Sequence, residues 1–113
     1  MKPKFEIVLL EEVWELFYIL DEKTKEKIIY NIDKSKYFND PELFKKLETE
    51  IWEFRTKYNR MYYRLFAFWD KSDKTATLVI ATHGIIKKTD KIPKAEIEKA
   101  KAIMKVYFEQ KNK

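Results

Sequence analysis

Near the start of the chain Phe5, Ile7 and Leu9 alternate with Glu6 and Val8, and this period of two predicts a strand over residues 5–10, central in its sheet or next to the centre. The spacing then changes. Val13, Leu16, Phe17 and Leu20 recur at three and four residues, which predicts a helix over 11–20, and Glu11, Glu12 and Glu15 near its start suit the positive end of the helix dipole. Asp21 reads as the cap of a second helix reaching about residue 37, with Ile28, Ile29 and Ile32 as its buried stripe. So short a link between two helices predicts an antiparallel hairpin. Asp40-Pro41, a cap followed by a first-turn proline, opens a short helix carrying Leu43, Phe44 and Leu47.

Past residue 50 the period returns to two. Trp52 and Phe54 share one face of a strand over 50–55, with Ile51, Glu53 and Arg55 on the other. A turn at 57–60 leads to a strand rich in Tyr, Phe and Trp over 61–69, and a polar turn at 70–74 leads to a third strand over 75–82. Lys91-Ile92-Pro93 introduces a last helix over 94–110 whose apolar side carries Ile97, Ala100, Ile103, Met104, Tyr107 and Phe108. The expected fold is α+β in a single domain, residues 1–113: an N-terminal strand and helical hairpin packed on a curved antiparallel sheet, with a C-terminal helix and no linker or repeat.

Composition narrows the chemistry. The chain has no Cys and one His, so neither a disulfide, a thiolate zinc site nor a multi-histidine cage can be built, and no metal or cofactor is expected. Its one Gly, Gly84, excludes glycine-rich phosphate loops. Ser35 and Ser72 stand in a charged helical run and a polar turn, not in a nucleophile setting. No apolar run approaches 18 residues and residues 1–10 lack the pattern of a signal peptide, from which a cytoplasmic protein with no membrane partner is expected.

The net charge of +5 is unevenly placed: −3 over residues 1–50, +3 over 51–82 and +5 over 83–113. A basic second half suits an anionic polymer, and equally a lysine-rich solvated helix. Three constellations stand within it. Glu53 and Arg55 share a strand face and a hairpin brings Arg64 near them, in a register the pattern does not fix; the set reads either as an anion site or as a cross-strand ion pair. Arg55 and Arg64 are two of three arginines, the residue best shaped for a forked grip on phosphate. Thr82 to Thr89 reads as a strand end running into a loop with His83, Gly84, Lys87 and Lys88; the Gly answers a demand for positive φ, and the His is either structural or part of an anion-facing loop. Tyr58, Tyr62 and Tyr63, among Lys57, Arg60 and the arginines, are either core or a platform for unpaired bases.

Trp52-Glu53-Phe54-Arg55, Tyr63-Arg64-Leu65-Phe66 and His83-Gly84-Ile85-Ile86-Lys87-Lys88-Thr89, followed by Pro93 and a basic helix, together resemble the RelE/ParE superfamily of toxin–antitoxin toxins, and within it the phage-derived HigB-like branch. The resemblance spans nearly the whole chain. It implies a type II toxin, a metal-independent endoribonuclease that cuts messenger RNA on the ribosome. It also implies a cognate helix-turn-helix antitoxin as partner, with higher-order toxin–antitoxin assembly left open. Arg64 matches the family's phosphate-contacting arginine and Arg55 a basic position of the preceding strand. Where RelE has lysines and some relatives a glutamate, this chain has Glu53, so the resemblance implies catalytic roles for Glu53, Arg55, Arg64 and His83, with Glu53 or His83 as base. RNA contacts fall to Lys57, Arg60, Tyr62, Lys87 and Lys88. A gyrase-inhibiting toxin of the ParE kind and a non-catalytic RNA-binding module are the competing expectations.

Overall fold

The computed structural model describes residues 2–112. Along the chain run strand β1 (Glu6–Leu9), helices α1 (Glu11–Ile19) and α2 (Glu22–Ser35), strands β2 (Phe44–Lys46), β3 (Trp52–Tyr58), β4 (Met61–Asp70) and β5 (Leu78–Lys87), and helix α3 (Lys94–Lys111). The five strands form one sheet in the order β1-β5-β4-β3-β2. The α+β class with its C-terminal helix is therefore as the pattern predicts. The sheet is mixed rather than wholly antiparallel, because β1 pairs with β5 in parallel, and β1 is an edge strand, not a central one.

Local signals explain most of these elements. Asp21 caps α2 by accepting a hydrogen bond from the Thr24 backbone N–H at 2.8 Å. Within α2 the buried stripe is Ile28 and Ile32, while Ile29 faces water. Asn59 and Arg60, both at positive φ (52° and 68°), make the two-residue turn joining β3 to β4, the backbone such hairpins require. Lys57 accordingly belongs to β3, not to the turn. Asp40 does begin a helical turn, its carbonyl accepting from Leu43 and Phe44, but the turn does not propagate. Phe44 instead starts β2 and stacks on Phe54 with ring centres 4.3 Å apart, so the expected short helix is an edge strand held by aromatic contact.

Helices α1 and α2 lie on β5 and β3, over a core that includes Val13, Phe17, Ile28, Phe54 and Leu65. Helix α3 covers part of the other face, over Ile51, Phe66, Phe68 and Ile80, with Ala100 fully buried. Strand β5 runs five residues beyond its expected end, through His83 and Gly84 to Lys87, so these residues are strand rather than loop. Gly84 has no positive φ. What it answers is space: a Cβ there would come within 2.5 Å of Leu16 Cδ2 and 2.6 Å of Leu65 Cδ2, because α1 rests directly on β5 at this point.

One irregularity in β5 decides which side chains reach the α3 face. Ala67 pairs with Ala81, but Phe66 pairs with His83, so Thr82 is an extra residue in a bulge. Past it the alternation of β5 is reversed, which turns His83, Ile85 and Lys87 toward the α3 face and Gly84 and Ile86 toward α1. Opposed residues share a face. Three rows therefore cross β3, β4 and β5: Glu53, Phe66, His83; then Arg55, Arg64, Ile85; then Lys57, Tyr62, Lys87.

Candidate anion-binding site

Arg55 on β3 stands directly opposite Arg64 on β4, with Glu53 one row away on the same face. Two guanidinium groups so placed repel one another unless a carboxylate lies between them. Glu53 supplies it: Arg64 Nη1 donates to Glu53 Oε1 at 3.2 Å, and Arg55 Nε lies 3.7 Å from Glu53 Oε2. The pair is deeply placed, with Glu53 1% and Arg64 3% exposed. Burial raises the Glu53 carboxyl above its ordinary pKa, against the pull of Arg64 and Arg55. Burial likewise lowers Arg64, which remains a cation because a guanidinium starts so high. Arg55 is fixed further by donating from Nη1 to the Pro41 carbonyl at 3.0 Å, which ties it to the turn before β2.

A second carboxylate comes from outside the sheet. Asp90, on the segment between β5 and α3, pairs with Arg64 Nη2 and lies 3.5 Å from Arg55 Nη2, while remaining 60% exposed. A single carboxylate oxygen thus lies against both guanidinium groups, a place that suits a phosphate oxygen of the same charge. Around it is a pocket of about 220 Å³ lined by Glu42, Arg55, Thr56, Lys57, Tyr62, Arg64 and Asp90. Tyr62 presents its ring to Lys57 (5.2 Å to the ring centre) and Arg64 (5.4 Å), so its face is engaged by cations.

The structure brings Arg55, Arg64, Lys57 and Tyr62 together as pocket walls. Glu53 lies beneath the arginines and does not line the pocket. Lys87 pairs with Tyr62 in the neighbouring strand, Lys88 follows the end of β5 in solvent, and Arg60 is exposed in the hairpin turn. His83 is elsewhere. It is buried, stacked on Phe66 with ring centres 4.9 Å apart, its Nδ1 2.9 Å from Thr82 Oγ1 and its Nε2 3.2 Å from Glu96 Oε1 in the first turn of α3. Burial and then Lys99 hold its imidazole below the usual pKa, more than Glu96 and Glu12 raise it. Asp90, Glu42 and Glu96 were not singled out from the sequence, although Asp90 carries a signal in retrospect, as the lone acid among residues 83–95. Among the described residues no group of three or more His, Asp or Glu is arranged to hold a metal ion.

With this geometry in place, comparison with known proteins shows that the family model described as Phage derived protein Gp49-like (DUF891) matches residues 15–105, from α1 into α3. No curated protein and no solved structure matches the chain.

Proposed function

Since the chain belongs to the phage-derived Gp49-like family, a family of RelE-like toxins, we propose that it is the toxin of a toxin–antitoxin pair and acts as an endoribonuclease on messenger RNA at the ribosome. The observation that carries this reading is the opposed pair Arg55 and Arg64, already gripping one carboxylate in a pocket walled by Lys57 and Tyr62. The segment from His83 to Thr89 supports a place in the HigB-like branch.

The reaction uses the site as follows. A phosphodiester takes the place of the Asp90 carboxylate between the two guanidinium groups. The ribose 2′-oxygen attacks phosphorus, the bond to the 5′-oxygen breaks, and the products are a 2′,3′-cyclic phosphate and a 5′-hydroxyl end. Arg55 and Arg64 stabilise the extra negative charge on the phosphorane, and Lys57 and Tyr62 hold the neighbouring nucleotide. Asp90, displaced from the arginines but still at the rim, accepts the 2′-hydroxyl proton, and water protonates the departing oxygen. Glu53 is a positioning residue that holds both arginines toward the pocket. His83 acts at a further remove, fastening β5 to α3 at the far end of the Glu53 row.

Two variants test this. Mapping 5′ ends of transcripts after induction should show new ends inside translated frames with the wild type and none with Arg55→Gln. Asp90→Asn should slow cleavage by about 10²- to 10⁴-fold, the usual contribution of one positioned base. Faster cleavage by Asp90→Asn would instead make Asp90 a plug on the site. A wild type that arrests growth without creating new ends would overturn the nuclease reading.

A further inference from the structure

Helices α1 and α2 turn large apolar side chains to water on the face away from the sheet. Trp14 is 58% exposed, Tyr18 90% and Ile29 43%, and Ile19 and Tyr30 are more than half exposed. Scattered apolar residues on a surface are ordinary, whereas contiguous ones mark a contact. Here Trp14, Tyr18 and Ile29 are contiguous. Trp14 and Tyr18 lie one helical turn apart, and with Phe17 and Ile29 they line a single groove of about 450 Å³ whose rim carries Glu22, Lys25 and Glu26. The groove is also preformed: Trp14 Nε1 donates to the Leu9 carbonyl at 3.1 Å and its ring meets Phe17 edge-on at 6.0 Å, so little ordering remains for binding to impose.

The charge around the groove is mostly acidic. The charged residues of α1 are Glu11, Glu12 and Glu15, with no Lys or Arg. Lys25 on the rim is tied to Glu22 at 2.8 Å, and Glu12 to Lys99 at 2.7 Å. Among the described residues this leaves Glu11, Glu15 and Glu26 without an ion-pair partner beside an apolar strip, with the cations Lys23 and Lys27 in a separate hollow that Glu26 borders. A second copy docking symmetrically through the same groove would set acidic rim against acidic rim. A helix with apolar anchors every three or four residues, flanked by Lys and Arg, fits both the shape and the charge.

We propose that the α1–α2 groove is the docking site for a basic amphipathic helix of the cognate antitoxin, with its apolar side on Trp14, Tyr18 and Ile29 and its cations toward Glu11, Glu15 and Glu26. The partner's identity rests on the toxin reading; the groove and its complement rest on the geometry. The groove faces away from the sheet surface that carries the arginine pocket, so substitutions in it leave cleavage by the free toxin unchanged.

The test is a titration of the purified chain with the protein encoded by the adjacent reading frame. Tyr18→Ser with Ile29→Ser, both exposed positions, should weaken binding about 30-fold or more, as loss of central anchors does. Glu15→Lys with Glu26→Lys should weaken it about five- to tenfold and flatten its salt dependence. Circular dichroism and unchanged RNA cleavage would show that the variants are folded. Equal affinity for wild type and both double variants would overturn the docking site while leaving the toxin reading intact. A wild-type dimer in sedimentation that becomes monomeric in Tyr18→Ser with Ile29→Ser would overturn the antitoxin as occupant in favour of a second copy. Failure of the adjacent protein to bind the wild type at all would overturn the partner reading and this one with it.

Discussion

Arg64 joins anion binding to stability, because the guanidinium that faces the pocket is also the main partner of a buried carboxylate. Arg64→Ala takes from the buried Glu53 its hydrogen-bonded partner and leaves Arg55 and the opposed Lys45 of β2 as its cations, and breaking a buried pair from one side costs about 3–5 kcal/mol. Loss of function in that variant would therefore not separate binding from folding. Removing both charges is gentler. Glu53→Gln with Arg64→Gln should be less destabilising than the two single changes added together, by about 0.5–3 kcal/mol in a double-mutant cycle of urea unfolding. His83 gives a second prediction at this scale. Its folded pKa lies below the unfolded value near 6.5, so below that pH the unfolded chain binds more protons and stability falls as pH drops. The chain has one His and no Cys. A fall in melting temperature between about pH 7 and pH 5.5, flattened in His83→Gln, would thus belong to this ring; an equal fall in the variant would contradict its buried, neutral state.

At the scale of elements, α3 is anchored at both ends. Glu96 meets His83 near its start. Near its end, Tyr107 and Lys111 donate to Asp70 at 2.6 and 2.7 Å, and Ser72 donates to the same buried carboxylate. Burial opposes the Asp70 charge, but the bonds from Lys111, Ser72 and Tyr107 outweigh it and hold this carboxyl far below the usual range. Asp70→Asn replaces an acceptor by a group that is half donor, and should cost about 1–3 kcal/mol and speed amide exchange across the C-terminal turns of α3 more than in α1. The pattern places Asp70 in a polar turn. No local signal distinguishes an aspartate closing a turn from one receiving a helix 37 residues away. The same limit explains β2: Asp40-Pro41 is a sound helix start, and only the stacking of Phe44 on Phe54 and Trp52 makes the segment a strand. It explains Gly84 as well, since the close approach of Leu16 is a property of how α1 lands on β5.

Across the whole molecule, the sheet separates two surfaces of different character. One face carries the acidic α1 and the exposed aromatic groove; the other carries the arginine pocket, with Lys57 and Lys87 in the next row. The imbalance of charge along the chain foreshadowed this division. The sequence alone settled whatever depends on near neighbours: the helix cap at Asp21, the change of period at residue 50, the sharing of one face by Glu53 and Arg55, and the α+β class. These follow from backbone geometry within a few residues. Tertiary structure decided the rest. It set Arg55 opposite Arg64, placed β1 in parallel at the edge, reversed the faces of β5 at Thr82 and brought Asp90 between the two guanidinium groups. Each of these is a pairing between distant segments, and in a period-two pattern a shift of one residue exchanges the faces, so only packing of the complete fold selects among the alternatives.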